Sequence, residues 1–357
     1  MKSHTPQMLT GIPTVTVAIP CYNYGHLLPG AVSAALEQEH VSVDVLIIDD
    51  ASPDGSLDVA RDLVRSDPRI RLIEHQLNQG HIATYNEGIR DARGEYFVLI
   101  SADDLLAAGA LSRACSLFES DNQIVMVYGW GESFSGTPPP NPNGGAERWT
   151  VWEGDEWAAM VYHYGTNIVF SPEIVVRTSA QVSVGGYDSS QPHAGDLNMW
   201  LRVASLGRVG HLAGPTQALY RIHPENMHSS VFATDQATGM VRDLQARELA
   251  FRGAVSSFFD GDSMYLAARA ALAREAVDLA SRAYVWGLTD TWPVERLVQF
   301  ATEMDPGIVR TTEWRAFARR RSLGRRLSHR NPLFVPREWT LRRREAARDQ
   351  RRRKIGV

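Results

Sequence analysis

The sequence predicts an α/β fold: a largely parallel sheet with crossover helices, followed by a helical C-terminal region. Three observations lead there. Apolar runs such as TVTVAIP (14–20) and VDVLII (43–48) alternate with segments of helical period. The alternation repeats as β-α-β-α-β-α-β-α-β through Tyr128. The polar clusters CYNYG, DDASPDG and SADD each close one of these strands, and in such sheets ligands sit beyond the carboxyl ends of the strands.

The elements follow in order. Thr14–Pro20 alternates and is β-branched, hence a strand. After CYNYG, His26–Glu39 sets Leu27, Leu28, Val32, Ala35 and Leu36 at helical spacing, with Pro29 in an early turn where a missing N–H is tolerated. Val43–Ile48 is a strand, and the Asp, Ser, Pro and Gly of DDASPDGS signal a turn. A helix over Leu57–Arg65, a strand at Ile70–Glu74, a helix over Ala83–Asp91 and a strand at Tyr96–Ile100 come next. Ala107–Glu119 is helical and Ile124–Tyr128 a strand. Residues 131–150 contain TPPPNPNGG and read as a mobile surface loop. Strand-like runs return at 172–186 and 207–222, on either side of a helix with Leu197, Trp200, Leu201 and Ala204 on one face. From Asp235 to about Glu303 the chain is alanine-rich and helical. The expected organisation is therefore a flexible tail (1–12), a first half (13–130), a second half (131–234) with the insertion 131–150, a helical extension (235–305) and a basic tail (306–357).

Composition narrows the class. At roughly 100–200 residues per domain, 357 residues allow one large domain with appendages. Apolar content of 44% and charged content of 22% exclude wholesale disorder. Two cysteines, Cys21 and Cys115, are too few for a disulfide scaffold or a four-cysteine zinc site, which points to a reducing, cytoplasmic setting. No run approaches the ~20 apolar residues that span a bilayer, and MKSHTPQMLTG lacks the apolar core of a secretory signal. The net charge of −4 conceals an asymmetry: residues 315–357 hold 16 basic and 3 acidic side chains, the remainder 21 and 38. A basic tail on an acidic body implies an anionic partner: membrane headgroups, which would place the protein peripherally at the inner face, or the body itself, in cis or across a homodimer. A merely solvated appendage is the third reading. Trp314, Phe317, Leu323, Leu327, Leu333, Phe334 and Trp339 interleave with arginines, which favours an interfacial or docked segment. Nucleic acid fits poorly, because the acidic body repels phosphate and no recognition motif accompanies the tail.

Three segments carry candidate chemistry. In ISADDLL, Asp103 and Asp104 close a buried strand. Adjacent carboxylates repel, a divalent cation relieves the repulsion, and oxygen ligands suit magnesium or manganese, which would also hold a diphosphate. The same residues also suit a turn and a helix cap. In IIDDASPDGS a strand-end carboxylate can accept from a nucleobase N–H or a ribose hydroxyl, or simply make the turn. In LNQGHIATYNEGI, Gly80 lets the backbone approach a ligand, the next helix offers a positive N-terminus, and His81 either reaches a phosphate or ribose or is structural.

Together TVAIPCYNYG, VLIIDDASPDGS, NQGHIATYNEGI and ISADDLL resemble, in order and spacing, the nucleotide-binding half of family 2 glycosyltransferases of the GT-A fold. The family forms are a strand then P-x-Y-N, V-V-D-D-x-S-x-D, N-x-G-x-x-x-x-x-N-x-G, and a strand then D-x-D-D. The resemblance covers roughly residues 13–228. It implies a Rossmann-like nucleotide-diphospho-sugar transferase sheet, a nucleoside-diphosphate sugar as co-substrate and a divalent cation, Mn2+ or Mg2+. Pro20, Tyr22 and Asn23 would line the base and ribose pocket. Asp50 would accept from the base N3–H, favouring UDP- or dTDP-linked sugars, and His81 would sit near the donor. Ser101, Ala102 and Asp103 would face the ribose, and Asp103 and Asp104 the metal. Ser101 stands where the family's four-residue form has its first Asp, so which of the two remaining carboxylates ligates the ion stays open.

The second half continues the resemblance. GGYDSSQPHAGDLNMWLRVA is similar to G-G-[FY]-D followed by [E/G]-D-x-x-[LM]-W-L-R. Asp196 falls on the family's catalytic base and also begins a helix; Gly195 stands where many relatives carry an acid. YRIHPENMHS resembles Y-R-x-H-x-x-N-x-S, which implies His223 as a third metal ligand or a diphosphate contact, with His228 as its substitute. The implied reaction is a single inverting displacement in which Asp196 takes the proton of an acceptor hydroxyl, on a glycan, a lipid-linked sugar or a small aglycone. The insertion would flank the acceptor cleft, with Trp149, Trp152 and Trp157 supplying stacking surface or ordinary packing. Ser101 and Gly195 also admit a catalytically inactive relative kept as a partner subunit. A sugar nucleotidyltransferase would need a G-x-G-T-R-type loop where this chain has IPCYNYG.

Overall fold

The computed structural model describes residues 1–139, 148–223, 226, 236–329 and 331–357. They form two compact units. The first comprises Met1–Ala158, Ile168–His223 and Arg352–Val357; the second comprises Ala159–Asn167 and Pro224–Arg351.

The first unit is built on one sheet. Its strands are β1 (Lys2–His4), β2 (Thr14–Cys21), β3 (Ser42–Asp49), β4 (Ile70–Glu74), β5 (Tyr96–Leu99), β6 (Leu105–Leu106), β7 (Ile124–Phe134), β8 (Arg148–Trp152), β9 (Ile174–Arg177) and β10 (Arg208–Arg221). The spatial order is β1-β8-β10-β7-β9-β5-β2-β3-β4, with β6 on β10. β5, β2, β3 and β4 run parallel. Their continuous apolar runs follow from burial on both faces: Val17, Ile19, Val45, Ile47 and Val98 are sealed from solvent. Each such side chain contributes roughly 1.5–3 kcal/mol. The connecting helices are α1 (Leu28–Leu36), α2 (Ser56–Ser66), α3 (His81–Arg90) and α4 (Ala110–Ser120). The chain leaves β2 for β3 and β4 on one side and returns to β5 on the other. The strand order thus reverses between β2 and β5, and a crevice opens at their carboxyl ends.

The second half of the sheet is mixed. β9 is antiparallel to both β5 and β7, whereas β7 and β10 are parallel. Helix α5 (Gly154–Tyr164) follows β8, the 172–186 run resolves into a 3-10 turn (Ser171–Glu173), β9 and helix α6 (Thr178–Ser183), and the Leu197–Ala204 face belongs to α7 (Gly195–Ala204).

Several expectations need correcting. The N-terminal segment is not a loose tail throughout: Lys2–His4 pairs with Trp149–Val151 as an edge strand. The insertion 131–150 is narrower than its composition suggested. β7 runs on to Phe134 because Gly131–Phe134 pairs with β10, and β8 begins at Arg148; residues 140–147 of the loop lie outside the described residues. Trp149, Trp152 and Trp157 are buried, and Trp157 donates its indole N–H to the Tyr128 hydroxyl, so they pack the core and present no stacking face.

The second unit is helical: Gln236–Ala254, Gly261–Trp286, Val294–Met304, Thr312–Ser328 and, within the basic tail, Val335–Ile355, whose residues from Arg352 on belong to the first unit. Buried Ala268, Ala273, Ala276 and Ala280 give the long central helix a smooth face for close packing. The tail is therefore ordered helix over these spans. Phe317 and Arg320 of the Thr312–Ser328 helix are buried, while Leu323 and Leu327 face outward. Among the described residues no helix is long and apolar enough to cross a membrane.

Candidate active site

The loops at the carboxyl ends of β2, β3 and β5 carry most of the residues singled out above. Pro20, next to last in β2, is half-buried, Tyr22 is 45% exposed, and Asn23 follows with a left-handed φ of 62°, its N–H donating to Ser52 Oγ at 3.1 Å. Asp50, just past β3, is buried and acts as a hub. Its Oδ1 accepts from the Gln79 N–H at 2.7 Å and its Oδ2 from the Gly80 N–H at 2.9 Å. His75 Nδ1 reaches Oδ1 at 2.7 Å, and the other ring nitrogen of His75 meets Glu87. Asp50 thereby shapes the loop that feeds the N-terminus of α3, where His81 lies with its Nε2 hydrogen-bonded to the Pro192 carbonyl at 3.2 Å.

Past β5, Ser101 is half-buried, and Ala102, Asp103 and Asp104 are buried. Asp103 Oδ2 is hydrogen-bonded to His223 Nε2 at 2.9 Å, and the ring of Tyr24 meets His223 edge-on at 5.5 Å. Asp104 Oδ1 accepts from the Arg221 N–H at 2.9 Å, while Arg221 Nε donates to the Asp103 carbonyl. Burial and then the charge of Asp103 push the Asp104 carboxyl well above its ordinary pKa. Asp103 and His223 thus meet as a pair, whereas Asp104 turns toward the backbone of β10. Among the described residues no group of three side chains is arranged to hold an ion. His228 lies outside the described residues.

Asp196 is in the first turn of α7. Its Oδ2 accepts from Ser171 Oγ at 2.7 Å. Burial raises its pKa, opposed by Ser171, the neighbouring Tyr187 hydroxyl and the positive side of His81. A phenol that the sequence reading passed over ties the cleft together. Tyr85, in α3, is held protonated first by burial and then by the negative charges of Asp196, Asp103 and Asp104. Tyr220, in β10, is pushed up to about 12 by burial, Asp104 and Asp103. Tyr85 thus lies within electrostatic reach of all three carboxylates.

Asn86 is also in α3. Its amide accepts from the Tyr187 N–H at 2.6 Å and donates to the Tyr187 carbonyl at 2.9 Å, joining α3 to the loop before α7. Tyr85 and Asn86 stand inside LNQGHIATYNEGI, so position was the available signal. Glu87 stands there too and Tyr220 opens YRIHPENMHS, whereas His75 and Ser171 had no signal beyond proximity to a motif.

The mixed sheet, the switch-point cleft and the helical C-terminal region define a GT-A-type α/β fold. Residues 16–180, just under half of the chain, match the profile of the family described as Glycosyl transferase family 2. An uncharacterized glycosyltransferase of Haemophilus influenzae is 29% identical over 118 residues, 33% of this chain and 47% of the relative. The chondroitin synthase of Pasteurella multocida is 26% identical over 202 residues, 56% of this chain and 20% of the relative. The chain thus spans less than half the length of these two curated relatives. Among solved structures, the mannosyltransferase PcManGT from Pyrobaculum calidifontis, in complex with GDP-Man and Mn2+, is 18% identical with a TM-score of 0.50, covering 88% of this chain and 87% of its own. S. aureus TarS 1-349, in complex with UDP-GlcNAc, is 11% identical with a TM-score of 0.50, covering 82% and 92%.

Proposed function

We propose that this chain is a metal-dependent, inverting glycosyltransferase that moves a sugar from a nucleoside-diphosphate donor to an acceptor hydroxyl. The observation that carries this reading is the Asp103–His223 pair, 2.9 Å apart beside Asp104 past the carboxyl end of β5, with Tyr85 within electrostatic reach of these carboxylates and of Asp196. Asp196 is the general base. Burial makes its carboxylate more basic than an exposed one, and Ser171 holds one of its oxygens in place. The acceptor oxygen attacks the anomeric carbon from the face opposite the diphosphate and passes its proton to Asp196.

The donor diphosphate and a divalent cation fall to Asp103, Asp104 and His223. A carboxylate beside an imidazole fits manganese, and the raised pKa of Asp104 next to Asp103 marks a crowding of negative charge that a cation relieves. When bound, the ion neutralises charge developing on the leaving diphosphate. Asp50 supports a uridine or thymidine donor. A carboxylate has about four acceptor sites; Gln79, Gly80 and His75 take three of them. About one is left, which matches the single N3–H of uracil or thymine. Pro20, Tyr22, Asn23, Ser101 and Ala102 line the base and ribose, and His81 flanks the donor. The two solved neighbours, holding GDP-Man and UDP-GlcNAc, leave the choice of nucleotide to such details.

The acceptor is a hydroxyl on a glycan, a lipid-linked sugar or a small aglycone. Leu323 and Leu327, exposed among the arginines of the Thr312–Ser328 helix, suit docking on anionic headgroups; flotation with vesicles containing or lacking anionic lipid checks this. A thermal-shift screen of UDP-, dTDP- and GDP-sugars with manganese, followed by donor turnover, tests the main reading. Stabilisation by a UDP- or dTDP-sugar with slow metal-dependent turnover is expected. Binding without turnover under any acceptor would favour an inactive partner subunit, and absence of any nucleotide effect would sink both.

A further inference from the structure

Glu173 is a buried carboxylate with no part in the reading above. It closes the 3-10 turn Ser171–Glu173, and its side chain is 0% exposed. Burial pushes its pKa up to about 7 against the pull of Arg352. Such a carboxylate is costly unless it is paired and hydrogen-bonded. Its Oε1 accepts from the Phe170 N–H at 3.0 Å, which braces the turn, and from Arg352 Nη2 at 3.1 Å. Arg352 lies 179 residues further along the chain and spreads its guanidinium over the rings of Trp130 and Phe170, at 5.4 and 5.1 Å from their centroids. The residues after it are seated in the same unit: the indole of Trp152 donates to the Ile355 carbonyl at 2.9 Å, and the Tyr128 hydroxyl donates to that of Gly356.

The turn that Arg352 braces begins with Ser171, the residue that donates to Asp196 Oδ2. The contacts therefore run unbroken from Arg352 to Glu173, to the turn, to Ser171 and to Asp196. We propose that Arg352 is a positioning residue for the base: by holding Glu173 it fixes the turn from which Ser171 orients Asp196. This rests on the reading of Asp196 as the base. Arg352 itself touches neither Asp196 nor the reacting atoms. Arginine suits the task because its planar fork can pair with a carboxylate while lying flat on aromatic rings.

The test uses the full chain with the donor selected above and compares R352M, R352K, S171A and the double variant S171A/R352M. Transfer is measured against pH, and binding of UDP with manganese by calorimetry. R352M is expected to lower kcat about ten- to a hundredfold, the scale of a slightly misplaced catalytic group, while nucleotide affinity changes less than twofold. Loss of the Ser171 hydrogen bond disfavours ionised Asp196, so the acid limb of kcat moves to higher pH in both S171A and R352M. R352K recovers part of the activity, and S171A/R352M is no slower than S171A. Wild-type turnover and an unshifted pH profile in R352M overturn the inference, as do losses that multiply in the double variant. If R352M fails to fold, E173Q/R352M removes the stranded charge and takes its place in every comparison. Failure of the base reading looks different: D196N then keeps near-normal turnover.

Discussion

Asp103 Oδ2 and His223 Nε2 lie 2.9 Å apart although 120 residues separate them in the chain. The strand β10 makes the meeting possible, because Arg221 at its end clasps the Asp103 carbonyl and the Asp104 carboxylate just before His223. If this pair holds the cation, H223A removes a nitrogen ligand and D104A removes the second nearby charge. Each is expected to weaken manganese-dependent nucleotide binding at least about tenfold, the usual scale for ligand-shell mutations. Calorimetry of UDP with manganese, and again after chelation, checks this. Chelation should bring the wild type to the level of the variants; equal affinities in all samples would exclude the assignment.

Asp196 carries the proton transfer in the proposed reaction. D196N keeps its shape and loses its basicity, so turnover should fall by about 10²–10⁴ while nucleotide affinity survives. Because burial raises the carboxyl pKa above 3.8, the wild-type kcat should decline on the acid side at a higher pH than an exposed aspartate would give. A pH–rate profile of transfer reads this limb directly, and its absence below neutrality would remove Asp196 from the base role.

Much of this site was legible because β2, β3 and β5 are buried on both faces, which writes them as apolar runs, and because their polar ends carry short motifs. What was not legible has physical reasons. Lys2–His4 is a polar edge strand whose pairing depends on Trp149–Val151, far away in sequence. Gly131–Phe134 looks like loop sequence, yet its backbone pairs with β10. Trp149 and Trp157 read equally well as binding surface or as core; only packing distinguishes them. The Glu173–Arg352 pair spans 179 residues, and neither partner stands in a motif.

His75 bridges Asp50 and Glu87, and Arg90 binds the other oxygen of Glu87 at 2.8 Å. Burial alone would lower the imidazole pKa, but the two carboxylates outweigh it and raise the pKa above 6.5. The folded state therefore binds the proton more tightly than the unfolded chain. The resulting stabilisation is complete below about pH 6.5 and fades as pH rises through the folded pKa. Urea unfolding between pH 5.5 and 9, a window of about one to two units on either side of a histidine's titration, should show this decline, and H75Q should flatten it. H75A leaves buried Asp50 and half-buried Glu87 unbridged and should cost about 3 kcal/mol. An unchanged slope in H75Q would mean that the bridge contributes nothing to stability.

Gly186 and Asn86 couple α3 to the loop before α7. Gly186 has a φ of +78°, and a Cβ there would lie 2.4 Å from Asn86 Oδ1. The left-handed backbone alone costs an ordinary residue about 1–2 kcal/mol. The clash adds to this, because Asn86 is fixed by its two hydrogen bonds to Tyr187 and cannot swing away without losing both. G186A should therefore lower stability by about 2–4 kcal/mol, near the upper end of ordinary point mutations, and should reduce turnover by displacing the loop before α7. N86A loses the hydrogen bonds but also empties the space that the new methyl group needs. The double variant should then cost less than the sum of the two, by about 1 kcal/mol or more, as expected for residues in direct contact. Denaturant melts of the four proteins measure this coupling. Strict additivity would mean that Asn86 and the Gly186 turn do not hold one another, and that α3 and the base helix are aligned by other contacts.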